Sequence, residues 1–195
     1  MKILFVTLIV VALDQAAKLA VKGFSLFGIN HSGMLPGNKI PLLGDWLNIS
    51  FVENPGIALG IDFGPEYKMF ITLFTFLAAA GLFIYLYRVR TQTFSVRFSL
   101  ALILGGALGN LIDRAFYGVF YNYAPLLHGK VVDFIDVRFF NLFIFNRTIG
   151  TYILNIADIA VTAGVALLLF VLSRQNNKPA SAVDEPDNLL AENKD

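Results

Sequence analysis

"ILFVTLIVVALDQAAKLAV", residues 3–21, decides how the rest of the chain is read. Its length suits the roughly 20 helical residues needed to cross about 30 Å of hydrocarbon. Yet it carries Asp14 and Lys18, one helical turn apart. On insertion scales a single Asp or Lys at the centre of a membrane helix costs roughly 2.5–3.5 kcal/mol. Either the run does not cross a membrane, or the charges are needed where they are. Lys2 followed by an apolar stretch also fits a cleavable leader, with Ala16, Ala17 and Ala20 as small residues near a cut. Against that reading, no clean A-x-A pair follows the apolar stretch, and the helical pattern runs on past Lys18.

Three further segments have membrane length: 68–87, 98–117 and 152–173. Over 195 residues, hydrophobic side chains make up 56% and charged ones 15%, against about 25% charged in an average soluble protein. That excess points to a lipid-embedded bundle. A net charge of +1 gives no reason to expect nucleic acid. The absence of cysteine excludes disulfides, thiolate catalysis and cysteine metal sites.

Orientation follows from arginine and lysine in the short loops. "RVRTQTFSVR" holds Arg88, Arg90 and Arg97 and no acid, so it is expected on the cytoplasmic side, with both termini. The loops at about 22–67 and 118–151 then face outward. The first mixes β-branched and aromatic residues with glycine and proline, and reads as a short strand or hairpin at the membrane surface. The second, "VVDFIDVRFFNLFIFNRTIGTY", is too aromatic for a free loop and is expected in the headgroup region. Residues 175–195 are polar and acidic, the composition of a disordered tail. The expected fold is an all-α membrane protein: one four-helix domain over 1–174, a small extracytoplasmic β-rich subdomain, and a cytoplasmic tail.

With this topology the charges share a depth. Asp14 and Lys18 fall in the outer half of the first segment, Asn110, Asp113 and Arg114 near the outer end of the third, and Asn155 and Asp158 in the opening turns of the fourth. Ionisable groups in membrane segments face a bundle interior or a watery cavity and mark function. Asp14 before Lys18 is the favourable order for an i, i+4 pair, which suits a structural tie. Arg114 can also reach the headgroups. Support or headgroup contact fits Asp14, Lys18, Asp113 and Arg114 better than chemistry. Asp158, in "LNIAD", has no cation adjacent along its helix. A second acid from "VVDFIDVR" would complete a pair sharing one proton, one member acting as base and the other as acid. Spacing alone leaves Asp133 and Asp136 both open. No H-E-x-x-H and no G-x-S-x-G occurs, and His31 and His128 read as lone surface residues. A rival reading is a small four-helix transporter or channel using the same carboxylates for ions, although no internal repeat supports it.

Four stretches in order carry a resemblance: "DQAAK" at 14–18, "ENPGIALG" at 53–60, "GGALGNLIDR" at 105–114 with "VVDF" at 131–134, and "NIAD" at 155–158. Together they resemble the type II signal peptidases, the prolipoprotein signal peptidases of bacteria. The resemblance implies an intramembrane aspartic protease of the inner membrane, working near its outer face. It would cut lipidated precursors just before a diacylglyceryl-cysteine. It implies Asp133 and Asp158 as the catalytic pair, choosing Asp133 over Asp136. It lines the site with Asp14, Lys18, Asn54, Gly56, Asn110, Asp113, Arg114 and Asn155, and implies no metal or cofactor. The chain is expected to act as a monomer among membrane lipids. It departs from the family at Leu59 and Leu154, where phenylalanine is frequent, and in the long stretch between Asp133 and Asp158.

Overall fold

The structure is a computed structural model that describes residues 2–56, 64–144 and 147–176, with the side chains of 65, 66, 139–150, 175 and 176 excepted. Four helices in it are long and apolar enough to cross a membrane. Helix α1 (Leu4–Lys22) contains neither proline nor glycine and stops at Gly23, whose φ of 84° suits a residue without a Cβ. Helix α2 (Pro65–Arg88) opens with proline at its first position, where the missing N–H has no partner to lose. Helix α3 (Phe94–Ile112) runs into a π-helical turn (Asp113–Tyr117) and the short α4 (Gly118–Phe120). Helix α5 (Ile156–Asn176) is the last element.

Helix α3 is the hub and packs against α1, α2 and α5. Its glycines allow the approach. A Cβ at Gly105 would lie 2.7 Å from the Cβ of Val10, and one at Gly106 would fall on the carbonyl oxygen of Ala157. Small residues let helices pack this closely where lipid supplies no hydrophobic drive between them. Thr7 Oγ1 donates to the Ala101 carbonyl at 3.0 Å, so the polar atom it buries is satisfied. Ile3, Leu86, Val96, Leu100 and Leu104 close the bundle at the far end from the sheet.

The strands are β1 (Phe24–Leu26), β2 (Ile29–His31), β3 (Lys39–Leu43), β4 (Leu47–Asn54), β5 (Val131–Ile144) and β6 (Arg147–Leu154). β1 and β2 form a separate hairpin, and the rest form one antiparallel sheet in the order β3-β4-β5-β6. The expectation of an all-α protein is therefore too narrow: the two long interhelical connections, after α1 and before α5, form strands. Backbone groups at the end of a bundle still need partners, and the β-branched and aromatic runs of the loops suit a pleated surface. The fourth helix also starts later than expected. Tyr152 to Leu154 belong to β6, and the helix opens at Ile156. Helix α5 reaches Asn176, while the expected tail beyond it lies outside the described residues, as does "IALG" at 57–60. Val21, Phe51, Tyr117, Val132 and Phe134 seal the junction of sheet and helices.

Candidate active site

"NIAD" at 155–158 works first as a helix start. Asn155 Oδ1 accepts the Asp158 N–H at 2.9 Å, and Asp158 Oδ2 accepts the Asn155 N–H at 3.1 Å. This is a reciprocal capping box built from asparagine and aspartate, satisfying two donors that a helix start leaves free. The same residues then reach outward. Asn155 Nδ2 donates to Asp133 Oδ1 at 2.6 Å and to Asn110 Oδ1 at 3.1 Å. Asn110 Nδ2 donates to Asp158 Oδ1 at 2.8 Å. Two carboxylates from different elements thus meet around two amides.

Asp133 sits on β5 opposite Val52 and is buried. Its other oxygen accepts from Asn54 Nδ2 at 3.0 Å, and Asn54 Oδ1 takes the Gly56 N–H at 3.1 Å. Burial pushes the Asp133 carboxyl up to about 6; the negative charge of Asp158 adds to the rise, and the hydrogen bonds from Asn54 and Asn155 hold it back. Asp136 lies elsewhere. Three residues along a strand is an odd step, so it points to the opposite face, where Oδ2 pairs with Lys39 Nζ at 2.6 Å.

The opening pair of charges holds the backbone on which these carboxylates ride. Asp14, Lys18 and Asp113 are fully buried, and Lys18 Nζ is 2.8 Å from Asp14 Oδ2 and 2.8 Å from Asp113 Oδ2. Lys18 also donates to Asn110 Oδ1 at 2.9 Å. Asp14 Oδ1 accepts the Ala157 N–H at 2.9 Å, and Asp113 Oδ2 accepts the Val132 N–H at 3.1 Å. Each buried charge is therefore both paired and hydrogen-bonded, the condition under which such burial is tolerated. Among the described residues Arg114 makes long contacts, from Nη2 to the Gly56 carbonyl at 3.4 Å and from Nη1 to the Asn110 carbonyl at 3.5 Å.

The structure thus brings all ten expected residues into one connected region. It also contains members that sequence reasoning passed over. Gln15 donates to Asp113 Oδ1 at 2.8 Å and to the Gly109 carbonyl at 3.1 Å, and accepts the Tyr117 hydroxyl at 3.0 Å. Its signal was its place inside "DQAAK". The π-helical turn carrying Asp113 and Arg114 had no signal in composition; such turns recur at functional sites. Beside Asn54, Glu53 pairs with Lys22 and with Lys130, the latter at 3.1 Å. Burial opposes its charge, but the hydrogen bonds and charges of the two lysines outweigh it and hold the Glu53 carboxyl below its usual range. The two histidines stand apart from this network, with His31 Nε2 2.7 Å from the Ala20 carbonyl and His128 Nδ1 2.8 Å from the Leu126 carbonyl.

Comparison with known proteins supplies the family. Residues 6–174 match the family described as Signal peptidase (SPase) II. A lipoprotein signal peptidase of Chlorobaculum parvum is 35% identical over 84% of this chain and 90% of its own length. One of Halothermothrix orenii is 36% identical over 87% of this chain and 94% of its own. A solved bacterial membrane enzyme structure, obtained by the in meso method at 2.3 Å resolution, superposes with a TM-score of 0.66 at 26% identity, covering 94% of both chains. Matched over most of its length, with four apolar helices of spanning length, this chain is a multi-pass membrane protease that belongs to the signal peptidase II family.

Proposed function

We propose that the chain is an aspartic endopeptidase that removes the signal peptide of lipidated prolipoproteins immediately before the diacylglyceryl-modified cysteine, with Asp133 and Asp158 as its catalytic pair. The observation that carries this reading is the shared bridge at Asn155, which bonds Asp133 through its side-chain amide and Asp158 through its backbone N–H. Two carboxylates held this close favour keeping one proton between them, and a carboxyl raised to about 6 is able to hold it near neutral pH. In the reaction the ionised member takes a proton from water, and the water oxygen attacks the scissile carbonyl carbon. The protonated member hydrogen-bonds the carbonyl oxygen and stabilises the charge that develops there. The C–N bond then breaks, the nitrogen leaves with a proton as the new amine of the cysteine residue, and the released signal peptide ends in a carboxylate.

Asn54, Asn110 and Asn155 orient the pair, and Asp14, Lys18 and Asp113 hold the backbone beneath it. Gly56 and Arg114 line the approach, where Arg114, with its weakly held guanidinium, is free to meet a lipid headgroup or substrate carbonyl. The four helices and the sheet act as one membrane domain over 1–174, followed by a cytoplasmic tail. Both termini face the cytoplasm and the site opens at the outer face of the bacterial inner membrane. The protein works as a monomer, on membrane-borne substrate. Purified protein in detergent, given a lipidated precursor in the presence of a metal chelator, should release the signal peptide at the unchelated rate. Loss of activity on chelation counts against a two-carboxylate mechanism.

A further inference from the structure

The β1–β2 hairpin leaves helix α1 after a single residue, Gly23, and is fastened back onto it. His31 Nε2 lies 2.7 Å from the Ala20 carbonyl, and the Met34 N–H donates to the Val21 carbonyl at 2.7 Å. Gly33, at φ +66°, sits so close that a Cβ there would fall on the backbone of Lys22 and Gly23. The base pair of the hairpin, Phe24 opposite His31, is therefore level with the last turn of a helix that has spanning length. Each arm adds two strand residues beyond that level and the turn one more, about 10 Å at the usual rise per residue. The tip thus stays close to the boundary of the hydrocarbon however the hairpin leans.

The tip is Phe27-Gly28. Turns of this kind favour Asn, Asp or Gly, because φ is positive. Here a phenylalanine adopts φ 49° and is 100% exposed, flanked by Ile29 at 65%. Ser25 Oγ donates to Asn30 Oδ1 at 2.5 Å, which ties the two arms together. A fully exposed aromatic in a strained turn position is thus carried on an arm tied to the end of a helix of spanning length. Aromatic side chains are favoured at that depth. We infer that the β1–β2 hairpin is a membrane-docking finger whose tip, Phe27 with Ile29, inserts into the headgroup–acyl boundary of the lipid leaflet. The inference rests on the four spans and is independent of which residues perform the chemistry.

The chain contains no cysteine, so Phe27→Cys gives a single site for a nitroxide label. The full-length protein, one copy per phosphatidylcholine nanodisc, is read by electron paramagnetic resonance with two relaxants, oxygen, which concentrates in lipid, and a water-soluble nickel chelate. The expected result is a ratio of oxygen to nickel accessibility greater than unity. A ratio below unity, or a label shielded from both relaxants, overturns the inference. Ile29→Cys provides the same reading if Phe27→Cys does not fold. Because each disc holds one copy, a second molecule cannot mimic the lipid.

Discussion

Asp14 and Asp113, on α1 and on the π-helical turn after α3, perform the same task at two places. Each carboxylate accepts the peptide N–H one residue before a proposed catalytic aspartate, Ala157 before Asp158 and Val132 before Asp133. Lys18 lies 2.8 Å from both and links the two braces. The charges that are so expensive in an apolar helix hold two distant backbones in one register.

Removing a member of this brace should affect folding before chemistry. Lys18→Met strands two buried carboxylates, and breaking a buried pair from one side costs about 3–5 kcal/mol. Asp14→Asn keeps an acceptor for the Ala157 N–H and should be milder, with reduced protein yield, a lower unfolding temperature in detergent and partial activity per folded molecule. Normally folded Asp14→Asn protein with no turnover would place Asp14 in the chemistry instead.

Two glycines should respond oppositely to the same change. A Cβ at Gly109 would lie 2.6 Å from Asp14 Oδ2 and 3.2 Å from the Ala157 Cβ. Gly109→Ala should therefore push the brace aside and lower both stability and activity. Gly81 in α2 has nothing within 4 Å of its would-be Cβ. Gly81→Ala should be neutral or stabilise by up to about 1 kcal/mol through helix propensity alone. Thermal unfolding of the two variants side by side checks the contrast.

The raised carboxyl of Asp133 predicts a pH dependence. Its pKa stands at about 6 in the folded protein against 3.8 for a free side chain. Between those values the folded state keeps a proton that the unfolded chain has released, so this group's contribution to stability falls as pH rises. A shift of this size amounts to about 3 kcal/mol. The stability of Asp133→Asn relative to the parent should thus climb from about pH 4 to about pH 6 and then level off. A difference independent of pH would deny the shift.

Much of this was legible in the sequence, because the physics is local. Apolar runs of helix length announce four spans, and an acid or amide inside such a run stands out whether or not its partner is known. The capping box of Asn155 and Asp158 needs only four consecutive residues, yet it went unread behind the apolar stretch before it. The sheet needs far more. Glu53 pairs with Val132 across the whole of α2 and α3, and no pattern along the chain fixes that register. Tyr152, Ile153 and Leu154 are as apolar as the helix they precede, so the true start of α5 was hidden. Gln15 was overlooked because an amide beside an acid has no cost that draws notice.

Orientation is open to a direct check. Cysteines placed at the exposed positions Asn38 and Asn122 should react with an impermeant reagent added outside intact cells, and one at Thr91, in the arginine-rich loop, should not. Labelling of Thr91→Cys alone would invert the proposed topology and move the site to the cytoplasmic face.

The central claim concerns two carboxylates and is tested by signal-peptide release from a lipidated precursor, measured on Asp133→Asn, Asp158→Asn and Asp136→Asn proteins shown to be folded. Asparagine is nearly isosteric with aspartate but cannot pass the shared proton. The account predicts no release by Asp133→Asn or by Asp158→Asn. It predicts substantial release by Asp136→Asn, whose carboxylate faces away and pairs with Lys39. Full release by either dyad variant, or its loss in Asp136→Asn alone, would contradict it.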